Sequence, residues 1–284
     1  MTALAHPAVV EDAARRFPAV MNAGRRRVRY QLIALIACLA YGAVSVRAFD
    51  ITFQRLFGGF DRLWVVLRSM LVWKDFWSWD FTGILLGLVQ SIAMAFLGTL
   101  IAATLALPLA FLAARTVVAN PILRNLVRRL FDFLRGVDRL IWALVYVRAF
   151  GLGPLAGTLA ILTADTGELG KLFSEALENV DGKQVEGVRS TGASRLQIFR
   201  FGFLPQIFPV ILSQALYYME SNTRSATIMG VVGAGGIGLQ LSERMRVQYW
   251  DQAAFIVLLI LVTVALIDWA SGLLRRRLIG GRGE

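Results

Sequence analysis

Histidine and cysteine are almost absent from this chain: His6 and Cys38 are the only ones among its 284 residues. A single cysteine forbids any intrachain disulfide, and without a Cys/His cluster a catalytic zinc site has no ligands. One histidine in a polar tail also leaves no Ser/His/Asp constellation. No G-x4-G-K-[ST] phosphate loop occurs; Gly182–Lys183 lacks both the upstream glycine and a following Ser or Thr. The chain is therefore not read as an enzyme, no cofactor is expected, and any ATP-derived energy must come from another polypeptide. Acidic residues are also scarce, 19 against 30 basic ones. Polar stretches long enough to clothe a soluble domain are missing altogether.

What is present is apolar sequence gathered into blocks. Hydrophobic residues make up 57% and the mean hydropathy is +0.61. A bilayer core ~30 Å thick takes ~20 helical residues at ~1.5 Å each. Six segments fit: 30–49, 82–114, 131–150, 152–176, 206–229 and 252–274. The third is weaker, because Asp132, Arg135, Asp138 and Arg139 crowd its start. The expected fold is all-α, a polytopic membrane bundle of about six spans. Residues 1–29 read as a polar tail, 30–81 as a first span plus a Trp-rich external segment, 82–276 as the main membrane domain, and 277–284 as a basic tail. The N-terminal run could be mistaken for a secretory or twin-arginine signal. Its polar region is too long and its apolar run too extended, so an uncleaved first span is expected.

The charge pattern tests the count. With both termini in the cytoplasm, nineteen Lys/Arg flank the spans on the inside and six on the outside, the bias membrane topology favours. The inner set includes Arg15, Arg16, Arg25, Arg26, Arg27, Arg29, Arg115, Arg124, Arg128, Arg129 and Arg282. Arginines that flank apolar runs form no nucleic-acid-binding face, so membrane lipid is the expected surface partner. Trp64, Trp73, Trp77 and Trp79 place the 50–81 segment at the lipid interface, where indole rings prefer to sit. Gly151, Gly153 and Pro154 make a short outer turn.

The inner loop 183–205 does not read as a slack connector. Val185 and Val188 lie one turn apart. Gly192 supplies a left-handed helix stop. Ser194 followed by Gln197 is a capping box that starts a second helix. Leu196, Phe199 and Phe203 make an apolar stripe, and Leu204–Pro205 is expected to break the helix before the fifth span. The pattern is helix, sharp turn, helix, with apolar residues that either fill a partner's groove or pack on the chain's own bundle.

Here the sequence resembles a known family. Permeases of ABC importers in the methionine-permease-like group carry a cytoplasmic loop E-A-A-x3-G-x9-I-x-L-P, and Glu186, Gly192, Leu204 and Pro205 fall at its spacing. Gly187 and Val188 replace the two alanines, and Gly202 replaces the isoleucine. The runs EGVRSTGASRLQIFRFGFLPQIFP and ESNTRSATIMGVVGAGGIG, with GKLFSEALE and the WAL before GLGP, resemble the phosphonate permease subfamily over roughly residues 84–275. The resemblance implies a coupling helix that docks on an ATPase subunit (two copies per transporter). It implies a homodimer of this chain, a separate extracytoplasmic phosphonate-binding protein, and alternating access in the inner membrane. It leaves open phosphite- or phosphate-like anions. Import of methionine or a quaternary amine by the same class, or a scaffold or channel without ATP coupling, are the alternatives.

Polar residues inside apolar spans are candidates for a path. Glu220 and Arg224 stand one turn apart and can pair; with Asn222 and Thr227 they make either a lining or gate, or a helix-to-helix ion pair. Asp165 would repel an anion, so pairing between helices, or a place at the span's inner end, is expected of it. Arg135, Asp138 and Arg139 are expected to pair locally. Gly233, Gly235 and Gly238 spell G-x-G-x-x-G, but a dinucleotide fingerprint needs a preceding strand. Here the glycines are expected to end the fifth span and turn the chain back.

Overall fold

A computed structural model describes residues 18–50 and 52–279, with backbone alone for 18–26, 56 and 275–279. The tail residues 1–17 and 280–284, with His6, Arg15, Arg16 and Arg282, lie outside the described residues, as do the side chains of Arg25, Arg26, Arg275, Arg276 and Arg277. Every described element is helical. The chain divides into two units, Met1–Leu67 and Arg68–Glu284.

The first unit holds α1 (Pro18–Ala48) and most of α2 (Phe53–Leu71). The apolar stretch Arg27–Ala48 has none of its residues buried. Leucines and isoleucines exposed on all sides are stable only where the solvent is hydrocarbon. The segment 50–81, expected outside at the lipid interface, is largely helical in α2. Phe53, Phe57, Phe60 and Trp64 recur at i, i+4, i+7 and i+11, all exposed, and no proline interrupts them. That stripe suits a helix lying in the interface plane.

The second unit runs α3 (Phe81–Ala113), α4 (Pro121–Gly136), α5 (Arg139–Phe150), α6 (Pro154–Glu178), α7 (Gly182–Ser190), α8 (Arg195–Ile198), a wide turn Phe199–Phe203, α9 (Leu204–Val231), α10 (Gly236–Arg246) and α11 (Trp250–Ile279). Among the described residues, four helical runs are long and apolar enough to cross a membrane: Arg27–Ala48, Phe81–Ala113, a stretch within Arg195–Arg246, and Trp250–Leu274. The expected count reaches six only with α6 and the α4–α5 pair. α6 is kept from an apolar score by Asp165, Glu168 and Lys171, yet most of one face of it is buried.

α3 and α6 form the centre. α3 turns a seam of small residues inward, among them Gly98, Ala102, Ala106 and Ala110. Against it α6 sets Gly157, Ala160 and Ala164. Small residues let two backbones approach closely, which drives association where no hydrophobic effect operates. Leu169, Phe173, Leu177 and Ile207 complete this core.

The expected third span, 131–150, is corrected: it is two helices broken at Val137–Asp138. Asn120 caps α4, its Oδ1 accepting from Ile122 N at 3.0 Å, with Pro121 in the first turn. Asp138 caps α5 by accepting from Leu140 N at 2.8 Å. A capping aspartate takes an extended backbone and so ends one helix as it begins the next.

Phe131 joins α4 to α6. It is 1% exposed, and a Cβ at Gly170 would stand 2.3 Å from its ring. Gly170→Ala should therefore destabilise the bundle by about 1–3 kcal/mol through overpacking, read as a lowered thermal midpoint in detergent. Combining it with Phe131→Leu should restore part of the loss. An unchanged midpoint in Gly170→Ala would contradict this contact.

Candidate functional site

The loop between α6 and α9 folds as a hairpin. Asp181 caps α7, its Oδ1 accepting from Lys183 N at 3.0 Å. Gly192 takes φ +76°, a conformation L-residues with a Cβ avoid. Ser194 N donates to Gln197 Oε1 at 2.8 Å in a complete capping box that opens α8. The expected helix, turn and helix are all present.

The next segment is a correction. Leu204–Pro205 does not break the helix: Ile198, Phe199 and Leu204 are all in the right-handed helical region. The five-residue turn Phe199–Phe203 widens the spiral instead, and Pro205 falls in the first turn of α9, where a missing N–H is tolerated. The hairpin thus continues into α9 without a joint.

The hairpin is also rooted. Val185 is 6% exposed and packs on Gly202, where a Cβ would lie 3.4 Å from Val185 Cα. Gly202, which stands in place of the family's isoleucine, is itself buried against α7. Phe199 turns toward the chain's own core, its ring 5.2 Å from that of Phe111. Gln206 ties the root together: Asp181 N donates to its Oε1 at 3.0 Å and its Nε2 donates to Gly202 O at 2.8 Å. The single apolar stripe expected of Leu196, Phe199 and Phe203 is therefore divided. Leu196 is 78% exposed, while Phe199 serves the bundle. The outward face includes Glu186, Gly187, Gly192, Ser194, Leu196 and Phe201, with Val188 half-buried at its edge. Sequence reading missed Gln206 and Phe201; a glutamine one turn after Gly202 was the available signal for the first.

α9 has two opposed faces. Tyr217, Glu220, Arg224, Ile228 and Val231 follow at helical spacing and form a stripe; all are exposed except the half-buried Glu220. Asn222, Ala226, Met229 and Gly230 lie opposite and are buried. Glu220 and Arg224 thus share the open face, and Asn222 does not. Thr227 lies on the flank toward α10, its Oγ1 donating to Thr223 O at 3.4 Å. Arg224 Nη2 lies 3.9 Å from Asp268 of α11, an ion pair between helices of the kind weighed for this segment. A partner on a second helix meets the guanidinium and joins two elements at once.

Behind that stripe sits a buried polar cluster. Asp165 and Asn222 are both 0% exposed. Asn222 Nδ2 donates to Thr99 Oγ1 at 2.7 Å and to Asp165 Oδ2. Asp165 Oδ1 is 3.1 Å from Arg139 Nη2, which also donates to Glu168 Oε2 at 2.7 Å. The guanidinium lies 5.7 Å from the Tyr218 ring centre. The cluster joins α3, α5, α6 and α9. Asp165 pairs between helices, as expected of it. Arg139 does not pair locally as anticipated; Arg135 does, with Asp132 at 2.9 Å.

At the far end of α9, residues 232–235 turn the chain into α10. Gly233 and Gly235 have φ +96° and +80°, and Gly233 O accepts from Gly153 N at 3.0 Å. The two glycine turns are thereby joined. A helix, not a strand, precedes the G-x-G-x-x-G, so the glycines serve the turn.

A family model described as "Binding-protein-dependent transport system inner membrane component" matches residues 106–280. HtxC of Stutzerimonas stutzeri, assigned to a phosphite transport system as its permease protein, is 35% identical over 91% of this chain and 90% of its own length. PhnE2 of Escherichia coli (strain K12), assigned to a cryptic phosphonate transport system as its permease protein, is 47% identical over 43% of this chain and 99% of its own. Inward-facing structures of the MetNI methionine ABC transporter share the fold. One superimposes with a TM-score of 0.60 over 69% of this chain and 96% of that chain, at 21% identity.

The polar cluster generates a stability prediction. Asp165→Ala leaves Arg139 and Asn222 without their shared acceptor and should cost about 3–5 kcal/mol. Thr99→Ala and Asn222→Ala should be non-additive, with a coupling of about 0.5–3 kcal/mol in a double-mutant cycle of detergent unfolding. Additive losses would mean that the two side chains do not share a hydrogen bond.

Proposed function

This chain belongs to the binding-protein-dependent transport system inner membrane component family, and we propose that it forms the path by which an ATP-driven importer brings a phosphonate, or a phosphite- or phosphate-like anion, into the cell. It is a multi-pass transport permease and not an enzyme. An ATPase subunit and a substrate-binding protein are the partners its family implies. The anion class rests on what HtxC and PhnE2 are assigned to carry, and on the basic residue that α9 offers on its open face.

The observation that carries the mechanism is the unbroken connection from hairpin to α9. The face Glu186, Val188, Gly192, Ser194, Leu196 and Phe201 docks on the ATPase. Val185, Phe199, Leu204 and Pro205 transmit, because they are fixed to the bundle or lie on the continuous spiral. When two ATPase copies close on ATP, the hairpin is displaced and α9 moves with it. Ligand and nucleotide then bias one two-state bundle from opposite ends. In this reading the hairpin and both termini are cytoplasmic, the protein sits in the inner membrane, and residues 82–276 form the transport domain.

One copy leaves the Tyr217–Val231 stripe uncovered, so a homodimer encloses the path between two such stripes. Arg224 gives a passing anion a charge-assisted donor. Its long contact with Asp268 is weak enough to be exchanged, and weak binding lets the anion leave. High-affinity recognition then belongs to the binding protein. Asn222 holds α9 in place rather than lining the path, and Thr227 supports the turn at its end.

Reconstituted uptake with the partner subunits tests this reading. Gly192→Val or Leu196→Asp should leave the protein in the membrane but cut uptake at least ~10-fold, a loss of the order of one buried apolar contact. Arg224→Gln should weaken uptake of methylphosphonate and phosphite more than Arg224→Lys does. Alkylphosphonate should compete for uptake where methionine and choline do not. Undiminished uptake in both hairpin variants would remove the docking assignment. Competition by methionine alone would remove the anion.

A further inference from the structure

A second basic site lies away from α9, where the end of α3 meets α4 and α6. Arg115, Arg128, Arg129 and Lys171 line one half-open cleft of about 300 Å³ with Asp132 and Glu175, floored by the buried ring of Phe131. Its carboxylates are largely committed. Glu178, behind the cleft, takes Arg128 Nη2 at 2.5 Å and the Arg115 backbone N–H at 2.6 Å. Asp132 is shared between Arg135 at 2.9 Å and Arg129 at 3.2 Å. Lys171 stands 3.9 Å from Glu175. The Arg115 side chain is exposed and makes no ion pair among the described residues. Arg129 is 83% exposed. Two guanidiniums therefore face the cleft with donors to spare.

The same helix supplies a second, independent feature. Ile122, Leu126, Leu130 and Phe133 recur on α4 at i, i+4, i+8 and i+11 and are all exposed. On a helical wheel this stripe adjoins the arc that carries Asn125 and Arg129. A free anion would use the cations alone. A molecule with a phosphodiester at one end and acyl chains at the other uses both. We infer that this cleft binds the headgroup of an anionic phospholipid, with its chains laid along the Ile122–Phe133 stripe. Arg115 and Arg129 hold the phosphate oxygens, and Arg128 keeps the cleft shaped through Glu178 and Ala113 O, to which its Nε donates at 3.0 Å. No residue of α9 lines the cleft, so this site is separate from the path.

The full chain, purified in detergent and stripped of lipid, is titrated with phosphatidylglycerol, phosphatidylcholine or inorganic phosphate. Adducts are read by native mass spectrometry, and the thermal midpoint is followed alongside. Phosphatidylglycerol should bind and raise the midpoint, and the other two should not. Arg115→Gln with Arg129→Gln should weaken its binding about 30-fold, as for two lost surface cations. Arg115→Lys with Arg129→Lys should keep most of it, and Arg246→Gln on α10 should change nothing. Both Gln sites are exposed, so folding is undisturbed, and the wild-type lipid series stands without them. A Gln/Gln variant binding within about twofold of wild type would overturn the inference. So would equal binding of phosphatidylcholine, or an equal midpoint rise with phosphate alone.

Discussion

A carboxylate taken out of water must be met by donors inside the protein, and everything in the main bundle is arranged around that requirement at Asp165. Its two oxygens are met from Asn222 and Arg139. Those two side chains come from helices far apart in sequence, and Thr99 and Glu168 draw in α3 and complete the set. Removing Arg139 leaves the buried charge of Asp165 uncompensated, which costs more than the pair contributes. α9 therefore has one rotational setting in which Asn222 Nδ2 reaches both Thr99 and Asp165. That setting puts Asn222 inward and Glu220 and Arg224 outward. The face offered to the proposed path is thus a consequence of where the buried hydrogen bonds are.

The same fixity gives the hairpin its meaning. A loop attached by a flexible link would absorb a displacement. This one is joined to α9 by residues that stay in the helical region, and it is held at its root by Val185 on Gly202 and Phe199 on Phe111. A wide helical turn costs hydrogen-bond geometry. Here it occupies the place where the spiral must admit Pro205 and pass over Gly202. The hairpin root and the Asn222 contact lie on one continuous helical run, so in the proposed coupling a push at one end is felt as rotation or tilt at the other.

Much of this was legible in the residues. Gly192, Ser194 and Gln197 state their turn and cap in local chemistry, and the apolar blocks located α3, α6, α9 and α11 to within a few residues. The break at Val137–Asp138 was also local: Asn120–Pro121 and Asp138 are start signals, obscured by reading 131–150 as one apolar block. Grouping Glu220, Asn222 and Arg224 as neighbours concealed that a 3.6-residue period sends Asn222 to the opposite face. Other features had no local signal. Arg139 finds its carboxylates on α6, Arg224 on α11, and the packing of Gly202 on Val185 depends on a chain reversal. These are properties of the folded bundle.

We propose that the hairpin face meets the ATPase and carries its motion into the bundle. Replacing Cys38 with serine and Leu196 with cysteine gives a single reporter on that face. In sealed vesicles the reporter should react with a membrane-impermeant thiol reagent only from the side to which the ATPase binds, and bound ATPase should shield it. Reaction from the opposite side, or equal reaction with and without the ATPase, would contradict the claim.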